Sequence, residues 1–136
     1  MTRHALALLI LMPAAPAFAD DYLAFHAPSG NIQCMIATGD YAEARCDIME
    51  LASPIPAAPK DCELDYGHAF GIGPQDLRGY RICAGDTVAD PNGMTLAYGD
   101  HIDLGGFRCT SETTGMTCSN PGGHGFTLSK RVQKLF

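Results

Sequence analysis

The fold is decided by residues 32–48, which read IQCMIATGDYAEARCDI. A disulfide between Cys34 and Cys46 would align two antiparallel strands around a loop at residues 38–42. The residue pairs that then face each other are Ile32 with Ile48, Gln33 with Asp47, Met35 with Arg45, and Ile36 with Ala44. One face of this hairpin is apolar and the other is mostly polar, as in a half-buried antiparallel sheet. The stretch therefore predicts a disulfide-bridged β-hairpin.

The same test applied to Cys109 and Cys118 predicts a second hairpin, which turns at residues 112–115. Threonine is poorly suited to positive φ, and residues 113 and 114 are both Thr. We therefore expect a loop longer than two residues, with Gly115 in the left-handed conformation. A β-bulge in this hairpin is expected to shift the pairing by one residue.

The last two cysteines, Cys62 and Cys83, pair by elimination, although a simple hairpin would set Leu64 against Arg81. All six cysteines follow residue 19, and their even number leaves none unpaired. Disulfides persist in oxidising compartments outside the cytoplasm. A zinc site is the alternative, but it needs closely spaced cysteines such as C-x-x-C, and the sequence has none. The sequence thus predicts three disulfides and no metal site.

The N-terminus predicts export. A basic residue precedes a short apolar run at residues 5–12, and Ala17 and Ala19 form an A-x-A pattern before two aspartates. These features are typical of a cleaved signal peptide, and the run is too short to span a membrane. A buried hydrophobic helix is the alternative, but the small residues after the run argue against it. We expect residues 1–19 to be a signal peptide cleaved after Ala19, and residues 20–136 to form a single disulfide-stabilised β domain, secreted or periplasmic.

The predicted mature part is acidic and has few large apolar residues. Without Arg3 it carries eight Lys and Arg against fifteen Asp and Glu, a net charge of −7. Such a chain is a poor partner for nucleic acid or anionic membranes, and no later segment is apolar for long enough to span a bilayer. Ile, Leu, Val and Phe supply 22 of its residues, which is at the edge of what a packed core needs. We expect a monomer without a cofactor that relies on its disulfides for stability.

Alternation and turn residues predict further strands. Residues 21–27 alternate apolar and other side chains, and residues 81–84 and 94–98 are short candidates between Gly- and Asp-containing turns. Residues 51–60 include three prolines and predict an extended surface connector. Residues 130–136 are expected to continue the last strand or to form one helical turn. Together these elements predict an all-β fold, a small disulfide-stapled antiparallel sandwich or barrel of short strands.

Six blocks of the sequence together carry a family resemblance. In chain order they are FHAPSGNIQC (25–34), RCDI (45–48), CELDYG (62–67), CAGDT (83–87), LAYG (96–99) and GHGFTLS (123–129). This series resembles an uncharacterised family of exported bacterial domains, domain of unknown function 6636. It covers nearly the whole mature chain and departs from the family at Tyr66, where relatives carry Trp. The resemblance implies an exported bacterial domain and brings no catalytic residues.

The glycine-rich loop at residues 120–126 is the candidate binding loop, and Gly123, His124 and Gly125 are its candidate residues. Its glycines would let a ligand approach the backbone closely. The alternative is an ordinary Gly-rich turn with an exposed His, which is common in small β domains. Directly after the loop, apolar alternation predicts a strand that places the Phe126 ring in the core.

Three other polar clusters are weaker candidates. Residues 100–103 set a His between carboxylates and could bind a metal ion, but alternation points His101 and Asp103 to solvent. Residues 90–93 resemble part of a calcium loop, yet Val88 stands where an earlier ligand should be, so a type I turn fits better. Residues 65–68 hold an acid and a His without an activated nucleophile.

Three functions fit these observations. The first is an exported, non-catalytic binding or structural module of the bacterial envelope or secretome, with an envelope or extracellular partner. The second is a secreted inhibitor or effector, since exposed loops on a disulfide scaffold suit such a role. The third is a small hydrolase that uses His124 or His101, although the sequence contains no catalytic motif and we expect no catalytic residue.

Overall fold

A computed structural model of the chain describes residues 13–14 and 20–136. The predicted signal peptide, apart from residues 13 and 14, and its cleavage site after Ala19 lie outside the described residues. Within the described ranges, no helix has the length and apolar character needed to cross a membrane.

The described part of the chain folds into two open β-sheets that face each other. Its strands are β1 Tyr22–His26, β2 Ile32–Ala37, β3 Glu43–Ile48, β4 Asp65–Ile72, β5 Tyr80–Ala84, β6 Met94–Thr95, β7 His101–Leu104, β8 Phe107–Glu112, β9 Gly115–Ser119, β10 Gly125–Leu128 and β11 Gln133–Leu135. A six-stranded sheet has the order β5-β4-β3-β2-β1-β6, and a five-stranded sheet has the order β11-β10-β9-β8-β7. Only β1 and β6 pair in parallel among these strands. The all-β prediction is confirmed, and the fold is a sandwich and not a closed barrel.

The core lies between the two sheets because alternate side chains of each strand point inward. In β8 and β9 the buried positions alternate strictly with more exposed ones. Phe70 of the six-stranded sheet lies 6.3 Å, between ring centroids, from Phe126 of the five-stranded sheet. The predicted core position of Phe126 is therefore confirmed, and its side chain is fully buried.

Three disulfides join the same cysteine pairs that the sequence predicts: Cys34 with Cys46, Cys62 with Cys83, and Cys109 with Cys118. The first and third bridges each close a hairpin within one sheet, and both are completely buried. They meet in the core, where the Sγ atoms of Cys46 and Cys118 are 3.6 Å apart. Neither sulfur carries a hydrogen, so this contact between the sheets is van der Waals packing.

The first hairpin has the predicted register, but one of its faces is not as predicted. The pairs across β2 and β3 are those expected from residues 32–48. The mostly polar face was expected to be solvated, whereas Arg45 and Asp47 are only 8% and 3% exposed. The segment after β5 folds over this outer face and binds both side chains. A hairpin whose polar face is covered by a loop cannot be recognised from alternation alone.

The second hairpin is simpler than predicted. Glu112 pairs directly with Gly115 across a two-residue loop, and the pairing runs without a shift to Cys109 and Cys118. The expected longer loop and bulge are therefore wrong. Gly115 has a φ of 143°, and a Cβ atom there would collide with the carbonyl oxygen of Leu128 in the neighbouring strand. The glycine is required by this close approach. No non-glycine residue among those described has a positive φ, so Thr113 and Thr114 close the turn without the left-handed conformation.

Two other segments also differ from their predictions. The candidate strand at residues 94–98 is reduced to Met94–Thr95. Residues 130–136 neither extend β10 nor form a helical turn, because β11 turns back and pairs with β10. The connector at residues 51–60 contains no helix or strand, as predicted from its prolines.

Candidate functional site

A groove of about 560 Å³ opens at one end of the sandwich, where loops of both sheets meet. Its lining residues come from the β1–β2 turn, the two residues after β3, Tyr98 between β6 and β7, the β8–β9 turn and the chain after β10. Ala27 and Ile32 are buried and form an apolar floor. Tyr98 and Met49 also line the groove and are 46% and 44% exposed. We call this site the groove.

Hydrogen bonds hold the walls of the groove in place. The Asn31 side chain accepts a hydrogen bond from the Glu50 backbone N–H at 2.8 Å and donates one to the Glu50 carbonyl oxygen at 3.2 Å. The Lys130 ammonium then pairs with the Glu50 carboxylate at 2.8 Å, which links the two sheets. The hydrogen bond from Lys130 lowers the pKa of Glu50. The ion pair is solvent-exposed, so we treat it as a positioning contact and not as a large source of stability.

The composition of the groove suits binding. Its volume lies within the roughly 300–1000 Å³ of small-ligand sites. Exposed Tyr98 and Met49 offer apolar contact area, and Met is adaptable in shape. Exposed polar residues, among them Glu112 and Thr113, also line it. Among the described residues that line it there is no His or Cys.

A second cavity of about 270 Å³ lies on the outer face of the six-stranded sheet, which we call the cleft. Residues of β3, β4 and β5 line it on the side of the sheet. Residues Asp86, Thr87 and Ala89 line it on the other side, and we call residues 86–89, which follow β5 and lie over the sheet, the covering segment. Five of its lining residues are apolar: Ile48, Met49, Ala69, Ala84 and Ala89. Met49 also lines the groove, so the two cavities are neighbours.

The cleft is built on a buried ionic network. The Arg45 guanidinium donates to both carboxylate oxygens of Asp47, at 2.9 and 3.3 Å. It also donates to the side chain and the carbonyl oxygen of Asp86, both at 3.1 Å. The backbone N–H of Val88 donates a further hydrogen bond to Asp47 Oδ2 at 3.0 Å. Burial alone lowers the pKa of Arg45, but the hydrogen bonds and charges of Asp47 and Asp86 outweigh it and raise that pKa. The network therefore pins the covering segment to the sheet.

Asp65 and His68 stand at the cleft, beside the irregular pairing of β4 with β5. The Asp65 carboxylate is 69% exposed and lies 3.4 Å from His68 Nδ1. That nitrogen is buried and has no hydrogen-bond partner among the described residues. This acid and His, which the sequence brings together without an activated nucleophile, thus line a cavity.

The candidate binding loop is organised by Asn120. Its side-chain oxygen accepts hydrogen bonds from the backbone N–H groups of Gly122 and His124, at 3.0 and 3.1 Å. Its amide nitrogen donates to the carbonyl oxygens of Gly73 and Asp76. His124 is half-buried, and it lines neither the groove nor the cleft.

The glycines of the candidate binding loop have different structural roles. Gly123 has a φ of 82° and open space around it. Gly125 is buried at the start of β10, where a Cβ atom would collide with the Cys118 carbonyl oxygen. The close approach at Gly125 is thus between two strands, and a role of the loop in binding stays a prediction.

His101 and Asp103 point to solvent from β7, as alternation predicts, with side chains 50% and 52% exposed. Arg108 of β8 donates two hydrogen bonds to Asp103, and this pairing lowers the pKa of the Asp103 carboxyl. His101 Nε2 is 3.4 Å from the same carboxylate. This cluster is a cross-strand ion pair that lies outside both cavities.

The two weaker candidates for a metal site, residues 90–93 and 100–103, form no cluster of three ligand atoms in the part of the chain that the structure describes. At residues 90–93, Asp90 accepts hydrogen bonds from the backbone of Asn92 and Gly93, as in a tight turn. Across the described residues, the one close group of metal-ligand atoms belongs to Cys34, Cys46 and Cys118, and all three are in disulfides.

Apart from Asp65 and His68, the residues of the two cavities carry no motif that marks them in the sequence. Tyr98 and Met49 carry no motif, and they come together only when loops of both sheets meet. Arg45 and Asp47 lie on the polar face that the hairpin pattern predicts, but the pattern does not show that a later segment covers this face.

The sequence was compared with known proteins. No curated protein and no solved structure matches it. One family model, described as a family of unknown function, matches residues 4–136 and thus nearly the whole chain. The family resemblance carried by the six sequence blocks is therefore confirmed, and the chain belongs to the family of unknown function DUF6636.

Proposed function

We propose that this protein is exported and that its mature domain is a non-catalytic binding module of the bacterial envelope or secretome, with the groove as its ligand site. The main observation in support of this proposal is the groove. It joins loops of both sheets, has an apolar floor, and exposes Tyr98 and Met49 at its walls.

Three disulfides support the exported location, since such bonds persist in oxidising compartments. The rigidity of the scaffold supports a binding role. Loops held by disulfide-bridged hairpins lose less conformational entropy when a ligand binds. The groove is also framed by hydrogen bonds between its own walls, so little rearrangement is needed before binding.

The test is capture from an envelope extract and from culture medium of the host, with the disulfide-intact protein as bait. Tyr98→Ala and Met49→Ser should each reduce the captured component severalfold. Tyr41→Ala is the matched control, because Tyr41 is 89% exposed and is not among the residues that line the groove. Its capture should equal that of the wild type.

Capture that is identical for Tyr98→Ala and wild type would contradict the groove as the site. A bound component whose enzymatic activity is lost on binding would favour the alternative of a secreted inhibitor or effector. Hydrolysis of the captured component that stops in His124→Ala or His101→Ala would overturn the non-catalytic assignment.

A further inference from the structure

We propose that the cleft accepts a basic side chain, Lys or Arg, of the protein partner. This inference rests on the proposed binding function and names the chemistry of the partner next to the groove. It combines the charge of the cleft, its apolar floor and its position beside Met49.

The charge of the cleft is unbalanced. Asp47, Asp65 and Asp86 all line the cleft, whereas Arg45, which pairs with Asp47 and Asp86, is the one Arg or Lys shown to contact them among the described residues. Asp47 is saturated, because both of its oxygens already accept hydrogen bonds within the protein. Asp65 and Asp86 are different, since their side chains are 69% and 78% exposed and retain free acceptor capacity. The cleft therefore attracts a cation at its rim.

The shape of the cleft selects a cation with an apolar stem. Besides the two exposed carboxylates, the lining of the cleft includes the small apolar side chains of Ala69, Ala84 and Ala89. Lys and Arg side chains lay their methylene groups on such surfaces and keep the charged group in water or at a carboxylate. The floor is rigid, because Arg45 and Asp47 pin the covering segment to the sheet.

The distribution of the carboxylates disfavours a metal ion. In the described part of the chain, no three carboxylate or imidazole ligand atoms of the cleft come within 4.8 Å of one another. A divalent ion needs several oxygen ligands at about 2.0–2.6 Å. An ammonium or guanidinium group can instead donate to acceptors that lie several ångströms apart. Charge complementarity thus points to an organic cation.

The continuity of the two cavities favours a cation that belongs to a protein. Met49 separates the cleft from the groove and lines both. A partner segment that lies in the groove would pass Met49 and bring a neighbouring side chain over the cleft. A free amine would gain nothing from this proximity.

The experiment is an NMR titration of the disulfide-intact protein with N-acetyl-lysine N-methylamide. The norleucine counterpart, which has the same stem without the ammonium group, is the matched probe, and pentylamine represents a free amine. We expect saturable shifts of the amides of Ala69, Ala84 and Thr87 with the lysine probe and none with norleucine. Asp65→Asn with Asp86→Asn should weaken the lysine probe about tenfold, because each exposed ion pair contributes a severalfold factor.

The control variant is Asp40→Asn with Asp61→Asn, which removes the same number of exposed charges outside both cavities and should leave the probe affinity unchanged. No saturable shift at about 20 mM lysine probe, where a dissociation constant near 1 mM would fill the site, would overturn the proposal. Equal binding of norleucine would refute the charge argument, and equal binding of pentylamine would refute the protein source. If the lysine probe gives no saturable shifts while Tyr98→Ala still captures less of the partner than the wild type, the inference is wrong and the proposed function stands.

Discussion

At the scale of single residues, Phe126 and His124 stand two positions apart but have opposite surroundings. The Phe126 ring is fully buried against Phe70 of the other sheet. The His124 side chain accepts and donates no hydrogen bond among the described residues, although its backbone N–H binds Asn120. Phe126→Ala should lower the free energy of unfolding by about 3–5 kcal/mol, because it leaves a cavity. His124→Ala should change it by no more than about 0.5 kcal/mol.

Urea unfolding of both variants at one pH measures the difference. A loss of stability in His124→Ala as large as that in Phe126→Ala would show that the imidazole is a structural part of the loop. Comparison with Asn120→Ala helps to interpret the result, since that change removes four hydrogen bonds within and around the same loop.

Glu43 gives the stability a pH dependence of unusual sign. Burial raises the pKa of Glu43 above 4.5, although hydrogen bonding to Tyr80 works in the opposite direction. The folded carboxyl therefore keeps its proton to a higher pH than the unfolded one. Its contribution to stability is complete below pH 4.5 and is lost as the pH rises through the folded pKa.

Glu43→Gln should remove this loss, because the amide oxygen still accepts the hydrogen bond of the Tyr80 hydroxyl, which is 2.9 Å away in the wild type. We expect the variant to be relatively more stable at pH 7 than at pH 4.5, when each is compared with wild type by urea unfolding. Glu112→Gln is the control, since that side chain is exposed. A stability difference between Glu43→Gln and wild type that does not vary with pH would contradict this reading.

At the scale of elements, the sequence predicted best where a disulfide and an alternating pattern agreed. The register of β2 with β3 followed from Cys34 and Cys46 because both strands are local and point one apolar face inward. The β8–β9 turn was mispredicted because a two-residue loop was expected to need positive φ, whereas Thr113 and Thr114 close it without positive φ. β11 was missed for another reason, since its three residues form a strand only by pairing with β10.

The three disulfides differ in accessibility, and this difference predicts their order of reduction. Cys83 is exposed and Cys62 is partly exposed, whereas the sulfurs of the other two bridges are completely buried. A small dithiol such as dithiothreitol should therefore reduce Cys62–Cys83 in the folded protein, and the core bridges only after unfolding.

Timed alkylation followed by peptide mapping measures this order. The rate for Cys62–Cys83 should be independent of urea below the unfolding transition, and the rates for the core bridges should rise with urea. Simultaneous labelling of all six cysteines without urea would show that the exposed bridge is also locked by the global fold.

At the scale of the whole molecule, the location of the candidate sites could not be read from the sequence. The groove needs loops from both sheets, and the cleft needs the segment after β5 to cross over β3 and β4. Such sites depend on tertiary placement and leave no local spacing. The sequence located glycine-rich and acidic turns instead, because these are defined by neighbours along the chain. Asp65 and His68 are the exception, since they were noted as a pair and lie on a cavity.

The whole molecule should depend on its disulfides. In the chain-entropy model each bridge of this loop length contributes about 3 kcal/mol, so that three contribute roughly 9 kcal/mol. A domain has a total stability of ~5–15 kcal/mol. Complete reduction and alkylation should therefore unfold the domain or lower its Tm steeply, as followed by circular dichroism.

Reduction of Cys62–Cys83 alone is the matched control, and it should preserve the sheets while lowering the Tm by less. The two core bridges have a second role, because their sulfurs pack against each other between the sheets. Alkyl groups on those cysteines would not fit a completely buried site, so Cys→Ala variants must be compared with alkylated protein. If the variant without both core bridges keeps the Tm of the wild type, then contacts such as that between Phe70 and Phe126 hold the sandwich together without them.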